Sequence, residues 1–282
     1  MKHAFRSLVK SPGFTAVALL TLALGIGVNT SMFSVLRTVF LRTLPYADAD
    51  RLVRVHRTGP NFDARPHAVA NFLDLREQNT VVDHLTAIEW AGFGLTADDR
   101  PAEWLRGMRT TADFFPLLGR PPALGRVFTA EDDQPGRSNV IVLSHPYWAG
   151  RFGADPAIVG RNIVLDEVPR TVIGVLPKGA WMLKEDSFFV PAVLAPNTER
   201  SRRAPHWAGV FGRLASHTTV ARADAELKTI KRQLNAEYPP FKQRWSVVVQ
   251  PVTEVIGGVA RTPLMILLGA VSLVLLLSLI HI

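Results

Sequence analysis

The chain has 282 residues, 32 Lys plus Arg against 24 Asp plus Glu for a formal net charge of +8, eight histidines and no cysteine. The absence of cysteine excludes a disulfide framework and a zinc–thiolate site, and the basic residues are scattered among the acidic ones rather than gathered into a stripe, which argues against a nucleic-acid partner. A mean hydropathy of +0.15 is too high for an ordinary soluble domain and too low for a chain made mostly of membrane spans, and fits a soluble domain held by a few apolar helices.

Two apolar runs bracket the chain: neither Ser11 to Leu36 nor Thr262 to Ile282 contains Asp, Glu, Lys or Arg. A span of the ~30 Å hydrocarbon core needs roughly 20 apolar residues, so both runs are expected to be membrane helices. The expected organisation is a cytoplasmic N-terminus over 1–13, a transmembrane helix over 14–40, an extracytoplasmic domain over 41–261 and a second, incomplete transmembrane helix over 262–282. Lys2, Arg6 and Lys10 before the first run outnumber Arg37 and Arg42 just after it, which puts the N-terminus inside. A cleaved signal peptide with Ala23-Leu24-Gly25 as its site is the alternative for 1–28. Against it, Val28, Met32, Phe33, Val35, Leu36, Val39 and Phe40 carry the helical apolar face onward. The second run ends in Leu277-Ser278-Leu279-Ile280-His281-Ile282 without flanking Lys or Arg, so the sequence is expected to be a fragment.

Inside the first run, Gly25-Ile26-Gly27-Val28-Asn29-Thr30 stands apart. Two glycines two apart let another helix approach closely, and Asn29, Thr30, Ser31 and Ser34 offer interhelical hydrogen bonds that lipid cannot replace. Gly25, Gly27, Asn29 and Thr30 are therefore the candidate helix-packing or coupling residues, acting either as fixed packing contacts or as an interface that moves. The spacing superficially matches a dinucleotide loop, but no strand precedes it and the third glycine is missing.

In the central segment, Leu52 to His56 alternates apolar and basic residues and predicts a half-buried strand, while Val69, Phe72, Leu73 and Arg76 share one face of a short helix. Trp90 to Thr96, a turn over Ala97-Asp98-Asp99-Arg100-Pro101, and Ala102 to Thr110 predict a hairpin. Asp113 to Leu118 reads as a short helix stopped at Gly119 and kept stopped by Pro121-Pro122. Asn139 to Leu143 is a buried strand, and Ser144-His145-Pro146 starts a helix running to Phe152. Asn162 to Leu165 and Val168 to Leu176 flank Asp166-Glu167 as a two-residue hairpin that lacks the glycine preferred by a type I′ turn. Thr219 caps a helix in which Ala223, Leu227, Ile230 and Leu234 share a face, ending before Pro239-Pro240. Two strands, Trp245 to Gln250 and Thr253 to Val259, lead to the second apolar run. The expected fold class is α+β, an extracytoplasmic mixed α/β domain of two subdomains between two transmembrane helices, without the regular alternation of a doubly wound sheet.

No catalytic, cofactor-binding or metal-ligating residues are assigned. The sequence holds no Gly-x4-Gly-Lys-Ser/Thr phosphate loop, no His-Glu-x2-His helix and no Gly-x-Ser-x-Gly elbow. Ser144-His145 reads as a helix cap followed by a surface histidine, since sequence neighbours seldom face each other as nucleophile and base. Glu131-Asp132-Asp133 reads as a solvated loop, with a divalent cation site as the alternative. The histidines include no pair at i, i+4, and Arg200 to Arg203 form a basic cluster of the kind found on exposed loops.

Phe14-Thr15-Ala16-Val17-Ala18-Leu19-Leu20-Thr21-Leu22-Ala23-Leu24-Gly25-Ile26-Gly27-Val28-Asn29-Thr30, then Phe33-Ser34-Val35 and Leu41-Arg42-Thr43-Leu44-Pro45-Tyr46, resemble the first membrane helix and exit of MacB/FtsX-type ABC transporter permeases, closest to the large duplicated orphan permeases of that group. Phe114-Phe115-Pro116-Leu117-Leu118-Gly119, Leu124-Gly125-Arg126-Val127-Phe128, Val142-Leu143-Ser144-His145 with Trp148, Arg151-Phe152-Gly153, Ile158-Val159-Gly160-Arg161 and Val172-Ile173-Gly174-Val175-Leu176-Pro177 resemble the MacB-like periplasmic core domain. The resemblance implies a permease subunit of the bacterial inner membrane in an ABC-type efflux or mechanotransmission system. Such a subunit has an N-terminal helix, a large periplasmic domain and three further helices, it works with a separate ATPase subunit and a second permease copy, and it needs no cofactor. It would not itself be an enzyme. Where the family continues through small residues and an Asn into a basic loop, this sequence has Leu277 to Ile282. The alternative is a membrane-anchored extracytoplasmic binding or scaffold module that is not coupled to ATP.

Overall fold

The computed structural model describes residues 12–40, 46, 48–97, 100–179, 188–194, 206–237 and 245–281. The chain divides into two compact units, Leu44–Val252 and the combination of Met1–Thr43 with Thr253–Ile282. In chain order the elements are α1 (Pro12–Phe40), β1 (Leu52–Gly59), β2 (Phe62–Arg65), β3 (His67–Ala68), α2 (Val69–Gln78), β4 (Val82–Ala97), β5 (Arg100–Thr110), α3 (Phe114–Leu118), β6 (Leu124–Gly125), β7 (Val140–Leu143), α4 (His145–Phe152), β8 (Asn162–Leu165), β9 (Val168–Val175), β10 (Phe188–Pro191), β11 (His206–Leu214), α5 (Val220–Glu237), β12 (Ser246–Pro251) and α6 (Val252–His281).

One mixed sheet organises the central unit, in the order β12-β1-β11-β4-β5-β10-β7-β9-β6, with β2 on β1, β3 on β11, and β8 paired to both β4 and β9. The β5–β10 and β7–β9 pairs are parallel. A large sheet with few helices is the mixed α/β architecture expected from the pattern. Two cores share this sheet. In the first, Val53 and Val55 of β1, Ala208 and Val210 of β11 and Val247 and Val249 of β12 pack under Phe72 and Leu75 of α2 and Leu227 and Leu234 of α5. In the second, Phe93 and Leu95 of β4 and Leu105 of β5 pack with Ile141, Leu165, Val172 and Phe188.

β4 supplies both. Leu85 and Ala87 face the first core, and Ala91, Phe93 and Leu95 face the second. Between the two groups, an ion pair of Arg109 Nη1 with Glu89 Oε2 at 2.9 Å lies across the β4–β5 ladder. On the opposite face, Phe189 pairs in register with Met108 and stacks on Phe114 of α3 with ring centroids 5.8 Å apart, while Phe115 meets Phe128 edge to face at 5.1 Å.

Local chemistry explains several element ends. Ser144 Oγ accepts from the Tyr147 N–H and caps α4, Thr219 Oγ1 accepts from the Arg222 N–H at 3.2 Å and caps α5, and Gly119 ends α3 at φ 64°, a left-handed conformation that glycine adopts without steric cost. Asp166 and Glu167 form the β8–β9 turn with φ 49° and 65°, as a type I′ turn requires. Asp166 also clamps β4: its Oδ1 accepts from the Gly94 N–H at 2.8 Å, and its own N–H donates to the Gly94 carbonyl at 2.8 Å.

Two expectations need correction. The β4 strand begins at Val82, eight residues before the predicted Trp90, because Asp83, His84 and Glu89 break the apolar alternation and His84 sits at φ 49° within an irregular register. The predicted strand over 253–259 is the beginning of α6, which starts at Val252. Val252, Val255, Ile256 and Val259 are spaced 3, 1 and 3 apart, the helical rather than the strand period, and Glu254 lies in the helix's first turn, where its charge suits the helix dipole.

In the other unit, α1 has 29 residues and α6 has 30, with Pro263 inside α6. Among the described residues, no helix is long and apolar enough to cross a membrane.

Candidate functional site

The residues singled out on α1 do not share one environment. Asn29 Nδ2 donates to the Gly25 carbonyl one turn back at 2.9 Å, and Asn29 Oδ1 accepts from Ser272 Oγ on α6 at 3.5 Å, at the long end of hydrogen-bond range. Gly25 and Asn29 are half-buried, whereas Gly27 and Thr30 are exposed. A Cβ added at Gly27 would meet nothing within 4 Å. Asn29 is thus a polar contact of this helix pair, and Gly27 and Thr30 present an open surface.

The sequence-flagged groups of the central unit serve structural roles. Ser144 is buried as a cap, and the His145 ring lies edge to face on Trp148 at 5.4 Å. In the acidic run, Asp132 is bidentate with Arg126, at 2.6 and 3.0 Å, and accepts from the Thr129 N–H at 2.8 Å. Burial works against the charged form, but the Arg126 and Thr129 hydrogen bonds outweigh it and hold the Asp132 carboxyl below its usual range. Glu131 pairs with Arg137 at the surface. Asp133 behaves differently. Its Oδ2 accepts from the Ala112 N–H at 2.9 Å, while Oδ1 is buried with no partner among the described residues. Burial pushes its carboxyl up to about 6, with Asp113 and Asp132 adding to the rise and the Ala112 N–H and Arg76 opposing it. Among the described residues, no three His, Asp or Glu side chains gather closely enough to hold a metal ion. Arg200 to Arg203 lie outside the described residues.

Sequence reasoning missed a buried polar group beside the first core. His67 is 1% exposed, and its Nε2–H donates to the Val55 carbonyl at 3.2 Å. Burial lowers its pKa to about 3, against the Val55 bond and assisted by Lys231, Arg57 and His56. His56 is lowered to about 4 by burial and Arg54. Nearby, the Arg57 guanidinium lies 3.6 Å from the Trp245 ring centroid and 4.8 Å from that of Phe62, and its Nε–H donates to the Pro66 carbonyl at 3.2 Å. The only sequence signal for this group was the basic residues alternating with valines in β1, which periodicity assigns to a solvated face.

Arg213, 8% exposed, ties distant segments through the Asp48 carbonyl at 3.1 Å and the Leu117 carbonyl at 2.6 Å, and Arg51 donates to the Leu214 carbonyl. These are anchors of the fold. None of these groups sets a nucleophile against a base.

Known proteins supply the context for this geometry. The model of the MacB-like periplasmic core domain matches residues 15–230, well over half of the chain. The fold is similar to that of the periplasmic region of MacB from Actinobacillus actinomycetemcomitans, at 14% identity and TM-score 0.56 over 76% of this chain and 94% of that one. It is similar to a domain of a putative permease protein from Porphyromonas gingivalis, at 15% identity and TM-score 0.56 over 73% and 92%. The extracellular domain of the noncanonic ABC-type transporter YknZ from Gram-positive bacteria gives 14% identity and TM-score 0.50 over 70% and 99%. No curated protein sequence matches the chain. The family match across both cores, with the fold shared by three solved domains, places this chain in the family of the MacB-like periplasmic core domain.

Proposed function

We propose that the chain is a permease subunit, or a piece of one, of an ABC-type transporter. In this proposal α1 and α6 cross the bacterial inner membrane, the N-terminus is cytoplasmic and the two-core domain lies outside. A separate ATPase subunit supplies the energy, a second permease copy completes the assembly, and movement of the helices is passed to the outer domain. The observation that carries the proposal is the family match over 15–230. Two features of the sequence support it: the charge-free runs 11–36 and 262–282, each of roughly 20 residues or more as a bilayer core requires, and the lack of a phosphate loop of its own. Glycines and Asn29 on α1 suit a helix interface that rearranges.

The cysteine-free sequence makes topology directly testable. With Ser216→Cys in the outer domain and Ser7→Cys near the N-terminus introduced one at a time, a membrane-impermeant maleimide is expected to label position 216 in spheroplasts with intact inner membranes and position 7 only after permeabilisation. The reverse pattern, or release of the chain from membranes by carbonate washing, rejects the arrangement. In a complete transporter, the double change Gly25→Leu and Gly27→Leu is expected to weaken coupling while leaving the outer domain folded. ATPase stimulation unaltered by that pair sinks the moving-interface role and favours a scaffold module uncoupled from ATP.

A further inference from the structure

A cleft of about 320 Å³ opens in the central unit beside α3, where the turn after β5, the segment 128–134, the C-terminal end of α2 and the residues after β10 meet. That volume is at the small end of ligand pockets, which run from roughly 300 Å³ upward, so it suits a compact molecule. Phe128 and Pro116 give it apolar wall, and Thr129 lies at its side. Among the described residues its charged lining is unbalanced: two carboxyl groups, Asp113 and Asp133, and one guanidinium, Arg76. Asp132, next along the chain, does not alter this balance because Arg126 already pairs with it.

The unexplained group is Asp133. A buried carboxyl oxygen without a hydrogen bond is costly, and among the described residues Asp133 Oδ1 has no donor while Oδ2 is held by the Ala112 N–H. A cationic N–H donor drawn into the cleft would meet that oxygen after a small rotation of the carboxyl, supplying both a hydrogen bond and a countercharge. A neutral donor supplies only the first, and an anion meets two carboxylates. We propose that this cleft binds a small organic ammonium, held at the Asp133 carboxyl with its apolar body against Phe128 and Pro116. The site belongs to the outer domain alone and is independent of what the two helices couple to.

The test is calorimetric titration of the full chain in lipid nanodiscs, with empty nanodiscs as the blank, using phenethylammonium, 2-phenylethanol and phenylacetate as probes. The ammonium is expected to bind at least tenfold more tightly than the alcohol, and phenylacetate not at all. Asp133→Asn, which keeps the Ala112 bond, is expected to weaken ammonium binding at least tenfold. Lowering the pH from 7.5 to 5 protonates Asp133, whose carboxyl is pushed up to about 6, and is expected to weaken binding by roughly tenfold; the other charged or titratable groups around this carboxyl are Arg76 from α2, Asp113 from the turn with His84 of β4 3.7 Å from it, and Asp132 beside it. No ammonium heat above the blank, equal binding of the alcohol, or undiminished binding by a folded Asp133→Asn chain each overturns the proposal. If Asp133→Asn does not fold, Ala130→Phe at the exposed rim takes its place. It is expected to abolish binding with Asp133 intact, and binding that persists in it removes the ligand from this cleft.

Discussion

The two cores of the central unit solve the same packing problem with different materials. In the first, helices α2 and α5 roof a strip of sheet, and His67, Asn71, Asp74 and Lys231 are buried beside the valines and leucines; none of Asn71, Asp74 and Lys231 is without an interaction. The second is apolar and aromatic, and toward its outer edge it closes by bringing backbone against backbone. A Cβ at Gly174 would lie 2.1 Å from the Arg126 carbonyl oxygen, and one at Gly125, where φ is +65°, 2.1 Å from the Ile173 carbonyl oxygen. On β11, whose Ala208 and Val210 enter the first core, a Cβ at Gly209 would sit on the opposite face with a side-chain atom nearest, Ile88 Cγ1 at 3.2 Å, and the Ile88 carbonyl oxygen at 3.4 Å. A roof of side chains can shift by a few tenths of an ångström. A hydrogen-bonded ladder cannot do so without losing its register.

The largest expected effect follows from that difference. Gly174→Ala should cost about 3 kcal/mol or more, enough to leave little folded protein, whereas Gly209→Ala should cost about 1 kcal/mol; chemical denaturation of the two variants, followed by tryptophan fluorescence, measures both. Equal losses would erase the contrast between the two positions.

The next effect is on pH dependence and belongs to the first core. His67 and His56 have folded pKa values near 3 and 4, below the ordinary 6.5. Between those limits the unfolded chain binds more protons than the folded one, so stability is complete above about pH 6.5 and falls as the pH drops, by up to about 1.4 kcal/mol per pH unit for each histidine. His67→Gln should flatten this slope between pH 6.5 and 4, as seen in melting temperatures across that range. An unchanged slope would mean that the buried histidine does not set acid sensitivity. Asp133 acts in the opposite sense, because its raised carboxyl binds a proton more readily in the folded state between about pH 4 and 6.

The smallest effect is at the surface. Glu131 and Arg137 are 76% and 66% exposed, and Glu131→Gln should change stability by no more than about 0.5 kcal/mol. A larger change would show that the acidic segment has a structural role beyond Asp132.

Much of this fold was legible because local rules agreed with each other. The caps at Ser144 and Thr219, the stop at Gly119 and the face formed by Ala223, Leu227, Ile230 and Leu234 were written in the sequence and are found in place. What escaped was set by distant contacts. β11 carries Gly209 and Gly212 in its middle, which weakens any strand signal, yet both sit where neighbouring side chains press close, with Val82 Cγ1 only 2.2 Å from a Cβ built at Gly212. β10, Phe188 to Pro191, is four residues buried on both faces, too short and too uniform to show a period. The orphaned oxygen of Asp133 left no trace in Glu131-Asp132-Asp133, because the segments that bury it are far apart in the chain.

Strand β4 has a consequence of its own. Leu85 and Ala87 enter one core, and Ala91, Phe93 and Leu95 enter the other. Side chains alternate along a strand, so a slip of one residue would turn all five to the opposite face of the sheet together. Neither core can accept a misaligned β4 while the other holds the right one, and the strand acts as a key cut for two locks. The chain thus checks the assembly of its two halves against each other, and an error in one is exposed by the failure of both.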